Sequence, residues 1–418
     1  MDQVKLGLIG LGRRGLTLID SLAVMKDVQV TAVSDRYHDR ITGAQDKLES
    51  LTGIRPEGSA DYWDILNNPD IPAVIISTSW NTHARIAVDA MRAGKYVGLE
   101  VGGAYDIEDC WELVRTHEAT GSHLMMLENC CYGESELAVL NMVKKGLFGK
   151  VVHCRGAYQH DLRNQIVCGR ENRHYRFGDF LHRNGELYPT HELGPIANVL
   201  DLNRGNRMVS LCSMSSRPAG LRHWVESSLP ADSDLQKLEF AQGDVTTTMI
   251  QCAGGQTILL THDVSLPHPY SRGGRVQGTK GIYMEDGQQI FFWDRVKDQY
   301  TGDSEQEFDW EPFADFKERF AHPLWRWYKE VGVPENGHGG LDYLVLSAFA
   351  EAVRNGAEPP IDVYDAASWM AVTCLSEQSI AMGGHPVAVP DFTRGAWIGR
   401  APQPKSRYAL DAIHESLF

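Results

Sequence analysis

The chain has 418 residues, 43% of them hydrophobic and 23% charged, which is the composition of an ordinary globular protein with enough material for two domains. Its 40 Lys and Arg residues stand against 55 Asp and Glu residues, for a formal net charge of −15. Because nucleic acids and anionic membranes are bound mainly through basic patches, this balance argues against both as partners.

The cysteines and the start of the chain indicate a compartment. The eight cysteines are scattered without the CxxC spacing of a zinc or redox site, so we expect free thiols, a reducing compartment and no metal. No apolar run reaches the about 18 residues of a membrane span, and the first residues lack the pattern of a signal peptide. We therefore expect a cytoplasmic protein, or an exported one if a leader has been removed.

The start of the chain predicts a dinucleotide-binding unit. Val4–Ile9 has the pattern of a strand, Gly10-Leu11-Gly12-Arg13-Arg14-Gly15 follows, and apolar residues from Leu16 to Leu22 recur at helical spacing. In this order, a glycine-rich turn lets a pyrophosphate approach the backbone and the N–H groups at the start of the helix.

A second strand leads to the residue that would select the cofactor. Val28–Ser34 predicts a strand, and the next residue, Asp35, is placed to hold the ribose hydroxyls. Its charge would repel a 2′-phosphate, which favours NAD over NADP, although the adjacent Arg36 acts in the opposite direction. The alternative, a structural glycine turn with a surface aspartate, fits the strand context less well.

Helices and strands alternate through the rest of this segment, which predicts a doubly wound parallel sheet. The predicted helices and strands are, in turn, Tyr62–Leu66, Ala73–Ser77, His83–Ala93, Tyr96–Glu100, Ile107–Thr120 and Leu124–Leu127. Ligands of such sheets bind beyond the carboxyl ends of the strands. We therefore expect one crevice lined by the segments Ser77–His83, Glu100–Val101 and Glu128–Asn129.

From about Tyr132 the pattern changes. Strand-like runs come without regular helices between them, which predicts an open, largely antiparallel sheet: Val151–Tyr158, Met208–Met214, Val245–Cys252 and Thr257–Val264. Leu341–Arg354 and Asp365–Met382 predict helices. The expected domains are a Rossmann domain over residues 1–130, a substrate-binding α/β domain over 131–390 and a C-terminal arm over 391–418.

Polar residues gather in glycine-rich and proline-rich stretches of the second domain. Any one of them is more often structural than functional, but such loops commonly carry functional groups. They are Tyr158, His160, Asp161, Asn172, Arg173, His174, Tyr175, Arg176, Tyr188, His191, His268, Tyr270, Arg272 and His338.

Several separate motifs resemble a known family over nearly the whole chain. The glycine-rich fingerprint, Thr78–His83 and the Glu100 segment are similar to the Gfo/Idh/MocA sugar oxidoreductases. Further motifs resemble glycoside hydrolase family 109, a branch of NAD-dependent α-N-acetylgalactosaminidases and relatives: Tyr188-Pro189-Thr190-His191, Gly194-Pro195, Asn203-Arg204-Gly205, Pro269–Arg272, Gln277–Gly281 and Gly337–Asp342. The resemblance implies an α/β fold, with an N-terminal Rossmann sheet and a C-terminal α+β domain.

Two parts of the ordinary dehydrogenase machinery are missing. Dehydrogenases of the wider family carry Glu-Lys-Pro where this chain has Glu100-Val101-Gly102, and many carry an aspartate where it has Leu187. The chain resembles the hydrolase branch at both points. It departs from that branch at Gly102-Gly103, where a proline-containing stretch is more usual. Many members also carry an export leader, which we do not expect here.

The fingerprint and the resemblance together imply two sets of site residues. Contacts to NAD are expected from Gly10, Gly12, Arg13, Arg14, Gly15, Asp35, Trp80, Asn81, Thr82, His83, Glu100, Val101 and Asn129. Contacts to the sugar are expected from Tyr158, Arg176, Tyr188, Pro189, Thr190, His191, Tyr270 and His338.

The resemblance also implies a reaction: transient oxidation at C3 of a terminal sugar, elimination across C1 and C2, addition of water and re-reduction, with NAD tightly bound and recycled. We assign His191 to proton removal during C3 oxidation and Tyr188 or Tyr270 to the C2 and leaving-group steps. Arg176 and Arg272 are candidates for lowering a tyrosine pKa.

Other interpretations stay open. Pro189 and Thr190 could simply start a helix, with Tyr188 and His191 filling a domain interface. The protein could instead be an NAD-dependent sugar or inositol dehydrogenase, or a non-catalytic NAD-binding regulator. For the glycosidase, the expected partner is a small-molecule or glycan-terminal sugar substrate, and we expect a homo-oligomer.

Overall fold

The computed structural model describes residues 3–303, 305–332 and 338–418. Gly337 of the glycine-rich motif and the first two residues of the predicted Rossmann domain lie outside this part. The chain divides into two compact units. The first unit comprises Met1–Tyr132, Tyr328–Ala371 and Ala401–Phe418, and the second unit comprises Gly133–Trp327 and Val372–Arg400. The predicted domain boundaries, after residues 130 and 390, stay a prediction.

Strands and helices alternate through the N-terminal part of the first unit. They are β1 Val4–Ile9, α1 Arg13–Val24, β2 Val28–Ser34, α2 His38–Thr52, β3 Glu57–Ser59, α3 Trp63–Leu66, β4 Ala73–Ile76, α4 Trp80–Arg92, β5 Tyr96–Leu99, α5 Ile107–Thr120 and β6 Leu124–Met126. The described strands form one parallel sheet in the order β3-β2-β1-β4-β5-β6. This is the doubly wound dinucleotide-binding order, so the predicted fold class is confirmed.

The central strands show why the secondary structure of this part of the chain can be predicted from its sequence. Every residue of β4 and β5 is buried, as expected for strands covered on both faces, and their apolar runs are continuous. Among the elements predicted in this N-terminal part, β1, β2 and α5 have the predicted bounds, and the others differ by one to three residues at one or both ends. The helix α2 and the strand β3 were not predicted, because α2 buries only Ile41, Ala44 and Leu48.

Segments from the end of the chain complete the first unit. The helix α14, Leu341–Asn355, confirms the predicted helix there and packs against α1 and β1. The Met126 N–H donates to the Ile361 carbonyl at 3.0 Å, and the Tyr132 hydroxyl donates to the Tyr408 carbonyl at 3.0 Å. Part of the predicted C-terminal arm, Ala401–Phe418, therefore belongs to this unit.

The remaining elements follow in chain order. They are α6 Glu134–Lys144, β7 Val151–Gln159, α7 Arg163–Val167, α8 Arg176–His182, α9 Pro189–Val199, β8 Met208–Ser215, α10 Gly220–Ser228, β9 Val245–Cys252, β10 Thr257–Asp263, β11 Arg275–Gly278, β12 Gly281–Met284, β13 Gln289–Phe292, α11 Trp293–Val296, β14 Glu311–Pro312, α12 Ala314–Arg319, α13 Pro323–Val331, then α14, α15 Val363–Ala381 and β15 Val387–Ala388.

The second unit is built on a large mixed sheet. Among the described residues it has nine strands in the order β14-β13-β12-β11-β7-β10-β9-β8-β15. Only the central pair, β7 and β10, is parallel there, so the predicted open and mainly antiparallel sheet is confirmed. Burial along β9 alternates, which shows that one face of the sheet is covered.

The prediction that regular helices are lacking between these strands is wrong. Three helices, α7, α8 and α9, lie between β7 and β8, and α10 lies between β8 and β9. The first two span only five and seven residues. The third begins at Pro189 and contains Pro195, so its sequence carries helix-breaking residues.

Two expectations from the composition concern the state of the cysteines and the presence of a membrane-spanning helix. All eight cysteines are free, and most are buried. None of the helices in the described part of the chain combines the length and the apolar character needed to cross a bilayer.

A glycine in β7 allows α9 to lie directly on the sheet. A Cβ atom added at Gly156 would come within 2.5 Å of the Glu192 carbonyl oxygen, which is backbone and cannot rotate away. The contact therefore fixes how closely α9 approaches β7.

We expect Gly156→Ala to lower the free energy of unfolding by about 1–3 kcal/mol, because the added methyl group forces backbone to move. Urea denaturation followed by tryptophan fluorescence measures this change. The control is Gly178→Ala in α8, where an added Cβ meets nothing within 4 Å and stability should be unchanged or slightly higher. Equal stability of Gly156→Ala and the wild type would contradict the close contact.

Candidate active site

The three glycines of the turn after β1 have different roles. Gly10 has a φ of +94°, and a Cβ there would lie 2.5 Å from the Thr78 backbone nitrogen. A Cβ at Gly15 would lie 2.2 Å from the Gly10 carbonyl oxygen. Both glycines are thus required by the fold itself. At Gly12, by contrast, an added Cβ would meet nothing nearer than Arg40 Nη1 at 3.6 Å.

The open space at Gly12 fits a pyrophosphate. The helix α1 begins at the next residue, and Gly12, as its N-cap, offers no side chain to the N–H groups of the first turn. No acidic residue lies in that turn either, among the residues the structure describes. A helix N-terminus without a competing acceptor suits an anion.

The carboxylate of Asp35 is fixed beside this turn. It accepts the Leu11 N–H at 2.8 Å and the Tyr37 N–H at 2.9 Å, and Arg40 Nη1 lies 3.7 Å away. The guanidinium groups of Arg36 and Arg40 each lie 4.9 Å from the centre of the Tyr37 ring. Asp35 therefore lies beside the glycine-rich turn, where the sequence predicts a carboxylate that binds the ribose. Arg36 and Arg40 lie close by.

Three of the predicted cofactor residues meet around Asp342, whose role is not evident from the sequence. Arg14 donates to both Asp342 oxygens, at 2.8 and 2.9 Å, and its Nε donates to Glu100 at 2.8 Å. The Asn129 amide donates to Asp342 at 2.7 Å. The guanidinium of Arg14 is thus held by two carboxylates, and its predicted contact to NAD stays a prediction.

The same cluster contains His338, which was grouped with the sugar residues. Its Nδ1 lies 2.9 Å from Asp342 Oδ2, within the first unit. Burial alone would raise the pKa of Asp342, but hydrogen bonds from His338 and Arg14 hold it well below its usual range. Burial raises the pKa of Glu100, and Arg14 opposes that shift. Asp342 is therefore the firmly ionised acid of the cluster.

The predicted residues Trp80, Asn81, Thr82 and His83 form the first turn of α4, at the carboxyl end of β4. Thr82 Oγ1 donates to Thr78 Oγ1 at 2.8 Å, and His83 Nε2 lies 3.0 Å from the Thr78 carbonyl oxygen. Burial lowers the pKa of His83 to about 4, so this histidine is neutral at physiological pH.

The departure from the family pattern at Gly102 has a local cause. A Cβ at this position would lie 2.4 Å from the ring of Trp80. The backbone after β5 therefore runs against the indole, and only glycine fits there. Val101, the preceding residue, is buried and offers no titratable group, as the sequence implied.

A cluster of aromatic rings forms in the second unit around the start of α9. Tyr188 is the N-cap of this helix and Pro189 its first residue. The Tyr188 hydroxyl oxygen lies 3.3 Å from His191 Nε2, and the Tyr158 ring lies 4.6 Å from the Tyr188 ring and 5.7 Å from that of His191. Starting a helix and joining this cluster are thus compatible. Thr190 is fully buried beside them.

Arg176 supplies a buried positive charge to these rings. Its guanidinium carbon lies 5.2 Å from the centre of the Tyr188 ring and 5.9 Å from that of Tyr158. Burial and the nearby Arg176 lower the pKa of His262 to about 3, so this neighbour of the Tyr158 ring stays neutral. The charge of Arg176 therefore lies beside both tyrosine rings.

The other predicted aromatic and basic residues have distinct places. Tyr270 is 52% exposed, with its ring edge-on to Tyr158 at 6.3 Å. Arg272 forms ion pairs with Glu136 and Glu285. Asp161 pairs with the nearby Arg163 at 2.7 Å. The two sets of candidates therefore lie in different units, NAD residues in the first and, apart from His338, sugar residues in the second.

Two buried glutamates on either side of the Tyr188–His191 motif were not predicted. Glu186 and Glu192 are 0% and 2% exposed. Burial raises the pKa of Glu186 to about 8 and that of Glu192 well above its usual value. Their only sequence signal is position, as acidic residues within an otherwise apolar segment.

Family models match both parts of the chain. Residues 4–128 match the oxidoreductase family with an NAD-binding Rossmann fold, and residues 132–399 match the C-terminal domain of glycosyl hydrolase 109. A glycosyl hydrolase family 109 protein of Solibacter usitatus is 40% identical over 405 residues, covering 96% of this chain and 90% of the relative. An alpha-N-acetylgalactosaminidase of Tannerella forsythia is 39% identical, covering 96% and 88%.

Solved structures share the fold at low identity. An oxidoreductase from Agrobacterium radiobacter, in complex with NAD+, L-tartaric acid and magnesium, has a TM-score of 0.65 at 15% identity, covering 93% of this chain and 98% of its own. Myo-inositol 2-dehydrogenase from Lactobacillus plantarum has a TM-score of 0.64 at 16% identity, covering 93% and 100%. At this level of identity the likeness shows the fold alone.

The glycine-rich turn and the parallel sheet define an enzyme with an NAD-binding Rossmann domain of the Gfo/Idh/MocA type. The chain belongs to glycoside hydrolase family 109, and it is a glycosidase. The predicted family and enzyme class are confirmed. The roles of individual site residues stay predictions.

We expect Gly12→Ala to weaken NAD binding about tenfold or more, because the methyl group occupies the space through which a pyrophosphate reaches the backbone. The melting temperature without cofactor should not change, because the methyl group touches nothing closer than 3.6 Å. Isothermal titration calorimetry measures the affinity. Gly43→Ala in α2, which meets nothing within 4 Å, is the matched control. Unchanged NAD affinity in Gly12→Ala would refute this use of the turn.

Proposed function

We propose that the protein is an NAD-dependent glycosidase that releases a terminal sugar of the α-N-acetylgalactosaminide type through transient oxidation at C3. The observation that carries this proposal is the pairing of Tyr188 with His191 beside the buried cation Arg176. The name of the Tannerella forsythia relative, alpha-N-acetylgalactosaminidase, supports the choice of sugar.

The first unit has the groups to hold NAD. Gly12 and the start of α1 would receive the pyrophosphate, and Asp35 would accept hydrogen bonds from the ribose. When bound, NAD supplies a hydride acceptor for C3 of the sugar and later returns the hydride. Between these two steps, the ketone at C3 makes the C2 proton acidic. We propose that the cofactor stays tightly bound and is recycled in every turnover.

His191 is suited to take the proton of the C3 hydroxyl. An imidazole can both accept and return a proton, as a step that is later reversed requires. Its Nε2 lies within reach of the Tyr188 hydroxyl, which fixes the direction in which the ring presents this atom. Because oxidation and re-reduction are reverse steps, the same nitrogen serves both.

A tyrosine is proposed to remove the C2 proton and to protonate the leaving oxygen. A phenol is a weak base unless a cation stabilises its anion. Arg176 lies over the Tyr188 ring, and we propose that its charge stabilises a phenolate there. Tyr270 is the other candidate, and its exposed ring at the edge of the cluster suits a donor to the leaving group.

The rings also provide a surface for the sugar. Tyr158 and Tyr188 present tilted aromatic faces 4.6 Å apart, and carbohydrate C–H groups commonly pack on such faces. We propose that Pro189 and Thr190 add shape and polarity to the same surface.

The proposed reaction predicts a result that distinguishes this enzyme from a sugar or inositol dehydrogenase. A chromogenic N-acetylgalactosaminide should be hydrolysed without net accumulation of reduced nicotinamide, as followed by absorbance. In D₂O the released sugar should carry deuterium at C2, because the C2 proton exchanges during elimination. Stoichiometric reduction of NAD, or hydrolysis without deuterium at C2, would contradict the proposed mechanism.

We expect Tyr188→Phe to lower kcat by about 10²-fold or more, because it removes a hydroxyl proposed to orient His191 and to transfer protons. Release of the chromogenic group measures kcat, and circular dichroism checks that the fold is kept. Tyr300→Phe makes the same chemical change at a 47% exposed residue and should leave kcat unchanged. Full activity of Tyr188→Phe would remove Tyr188 from the mechanism.

A further inference from the structure

Asp342 joins side chains from three elements at one edge of the first unit. Arg14 lies in the first turn of α1, Glu100 follows β5, and Asn129 follows β6. Asp342 itself lies in the first turn of α14. Because the other three residues lie beyond the carboxyl ends of parallel strands, Asp342 reaches the edge of the sheet where such folds bind their ligands.

The side chain of Asp342 is completely buried, and both of its oxygens have defined partners. Oδ1 accepts from Arg14 Nη2 at 2.9 Å and from the Asn129 amide at 2.7 Å. Oδ2 accepts from Arg14 Nη1 at 2.8 Å and lies 2.9 Å from His338 Nδ1. The two parallel N–H···O bonds from Arg14 fix the plane of its guanidinium as well as its distance.

Glu100 fixes a second edge of the Arg14 guanidinium. Its Oε1 accepts from Arg14 Nε at 2.8 Å, and its Oε2 accepts the Val101 N–H at 3.3 Å. The side chain of Glu100 is 4% exposed and that of Arg14 is 26% exposed. The guanidinium is therefore oriented by two buried carboxylates.

The amide of Asn129 is oriented from both of its ends. Its Nδ2 donates to Asp342 Oδ1, and its Oδ1 lies 3.6 Å from Cys130 Sγ, a weak donor. These two contacts distinguish the nitrogen of the amide from its oxygen. Asp342 therefore sets the direction of Asn129 as well as that of Arg14.

The packing of α14 fixes the position of Asp342. This helix packs against α1, β1 and the short 3-10 helix Asn129–Tyr132. Its N-cap, Gly340, has a φ of +94°, and a Cβ there would lie 2.5 Å from the Tyr328 hydroxyl oxygen. The start of α14 is thus closely packed, so Asp342 is held by a well-anchored element.

The strand order assigns this cluster to one half of the sheet. Asp35 follows β2, and in such folds the acid at this place binds the ribose in the adenosine half of NAD. Gly12, where the pyrophosphate is proposed to bind, follows β1. Glu100 and Asn129 follow β5 and β6, on the opposite side of β1 from β2. The nicotinamide half of a bound NAD would therefore extend toward the Asp342 cluster.

We propose that Asp342 is a positioning residue that holds Arg14 and Asn129 in place for the nicotinamide half of NAD. Hydride transfer requires a nicotinamide ring in a fixed orientation, so the arrangement of its neighbours contributes to the reaction. The inference rests on the place of NAD given in the proposed function. In this scheme Asp342 touches neither the cofactor nor the sugar, and it acts through Arg14 and Asn129.

A purely structural role of Asp342 would have a different consequence. An ion pair that only joins α1 to α14 stabilises the first unit whether or not a ligand is bound. Its loss would lower the melting temperature without distinguishing NAD from ADP, which contains the adenosine and the pyrophosphate but no nicotinamide. The comparison of these two ligands therefore separates positioning from stability.

The test is Asp342→Asn, which keeps the size of the side chain but replaces one acceptor oxygen by a donor, so that the paired bonds with Arg14 are lost. Isothermal titration calorimetry measures both affinities. We expect the affinity for NAD to fall about tenfold or more. The affinity for ADP should stay within about twofold of the wild type, because the adenosine half has separate contacts. Melting curves without ligand check that the variant is folded.

The matched control is Asp20→Asn. This change is also Asp to Asn, and it removes the acid of an ion pair between α1 and Lys47, at 2.8 Å. Because Asp20 has no contact with the Asp342 cluster in the described structure, both affinities should equal those of the wild type.

Arg14→Lys provides a second variant in case Asp342→Asn does not fold. Lysine keeps a positive charge between the two carboxylates but cannot form the paired bonds, so it should also weaken NAD without weakening ADP. In a double-mutant cycle, the combined variant should lose about as much NAD affinity as the larger single change, because Asp342 acts through Arg14. Full additivity of the two losses would contradict this.

Equal losses of NAD and ADP affinity, or unchanged NAD affinity in folded Asp342→Asn, would overturn the proposal. If the wild type bound NAD but hydrolysed no glycoside, the proposed function would fail, while a selective loss of NAD affinity would still support the role of Asp342. A wild type that bound neither ligand would refute NAD binding itself and this proposal with it.

Discussion

The close approach of α9 to the parallel strands β7 and β10 is the constraint on which the proposed sugar site depends. Gly156 permits it, because any larger residue would strike the Glu192 carbonyl. Tyr158 lies near the end of β7, while Tyr188 and His191 open α9, so the spacing between helix and strand sets the distances among the three rings. Glu192 lies within the same contact, and its side chain accepts the Thr261 N–H of β10 at 3.0 Å.

In the first unit, residues of the same type have different structural roles. Gly10 and Gly15 are required by close backbone contacts, whereas Gly12 leaves open space next to the start of α1. Among the acids, Asp35 is held by two backbone N–H groups at the turn, and Asp342 holds Arg14, Asn129 and His338. The glycine-rich turn therefore contains two glycines that maintain the fold and one, Gly12, that leaves open space where NAD is proposed to bind.

Much of the fold could be predicted because the parallel strands are buried on both faces and appear as continuous apolar runs, as in β4 and β5. The helices between β7 and β8 could not, since two are short and α9 contains a proline. The sequence also placed Tyr188, His191 and Arg176 among the candidates, and the structure brings them together. Asp342 was missed because its partner Arg14 lies 328 positions away. The role of a buried acid becomes evident only when its partners, distant in the sequence, are known.

The most direct test of the central claim is hydrolysis of a glycoside that carries deuterium at C3. The mechanism predicts slower turnover than with the unlabelled sugar and full retention of the deuterium at C3 of the product, because the hydride is removed and returned at the same carbon. Enzyme stripped of NAD should be inactive and should regain activity when NAD is added back. Equal rates for both substrates, with undiminished hydrolysis by the stripped enzyme, would contradict the account.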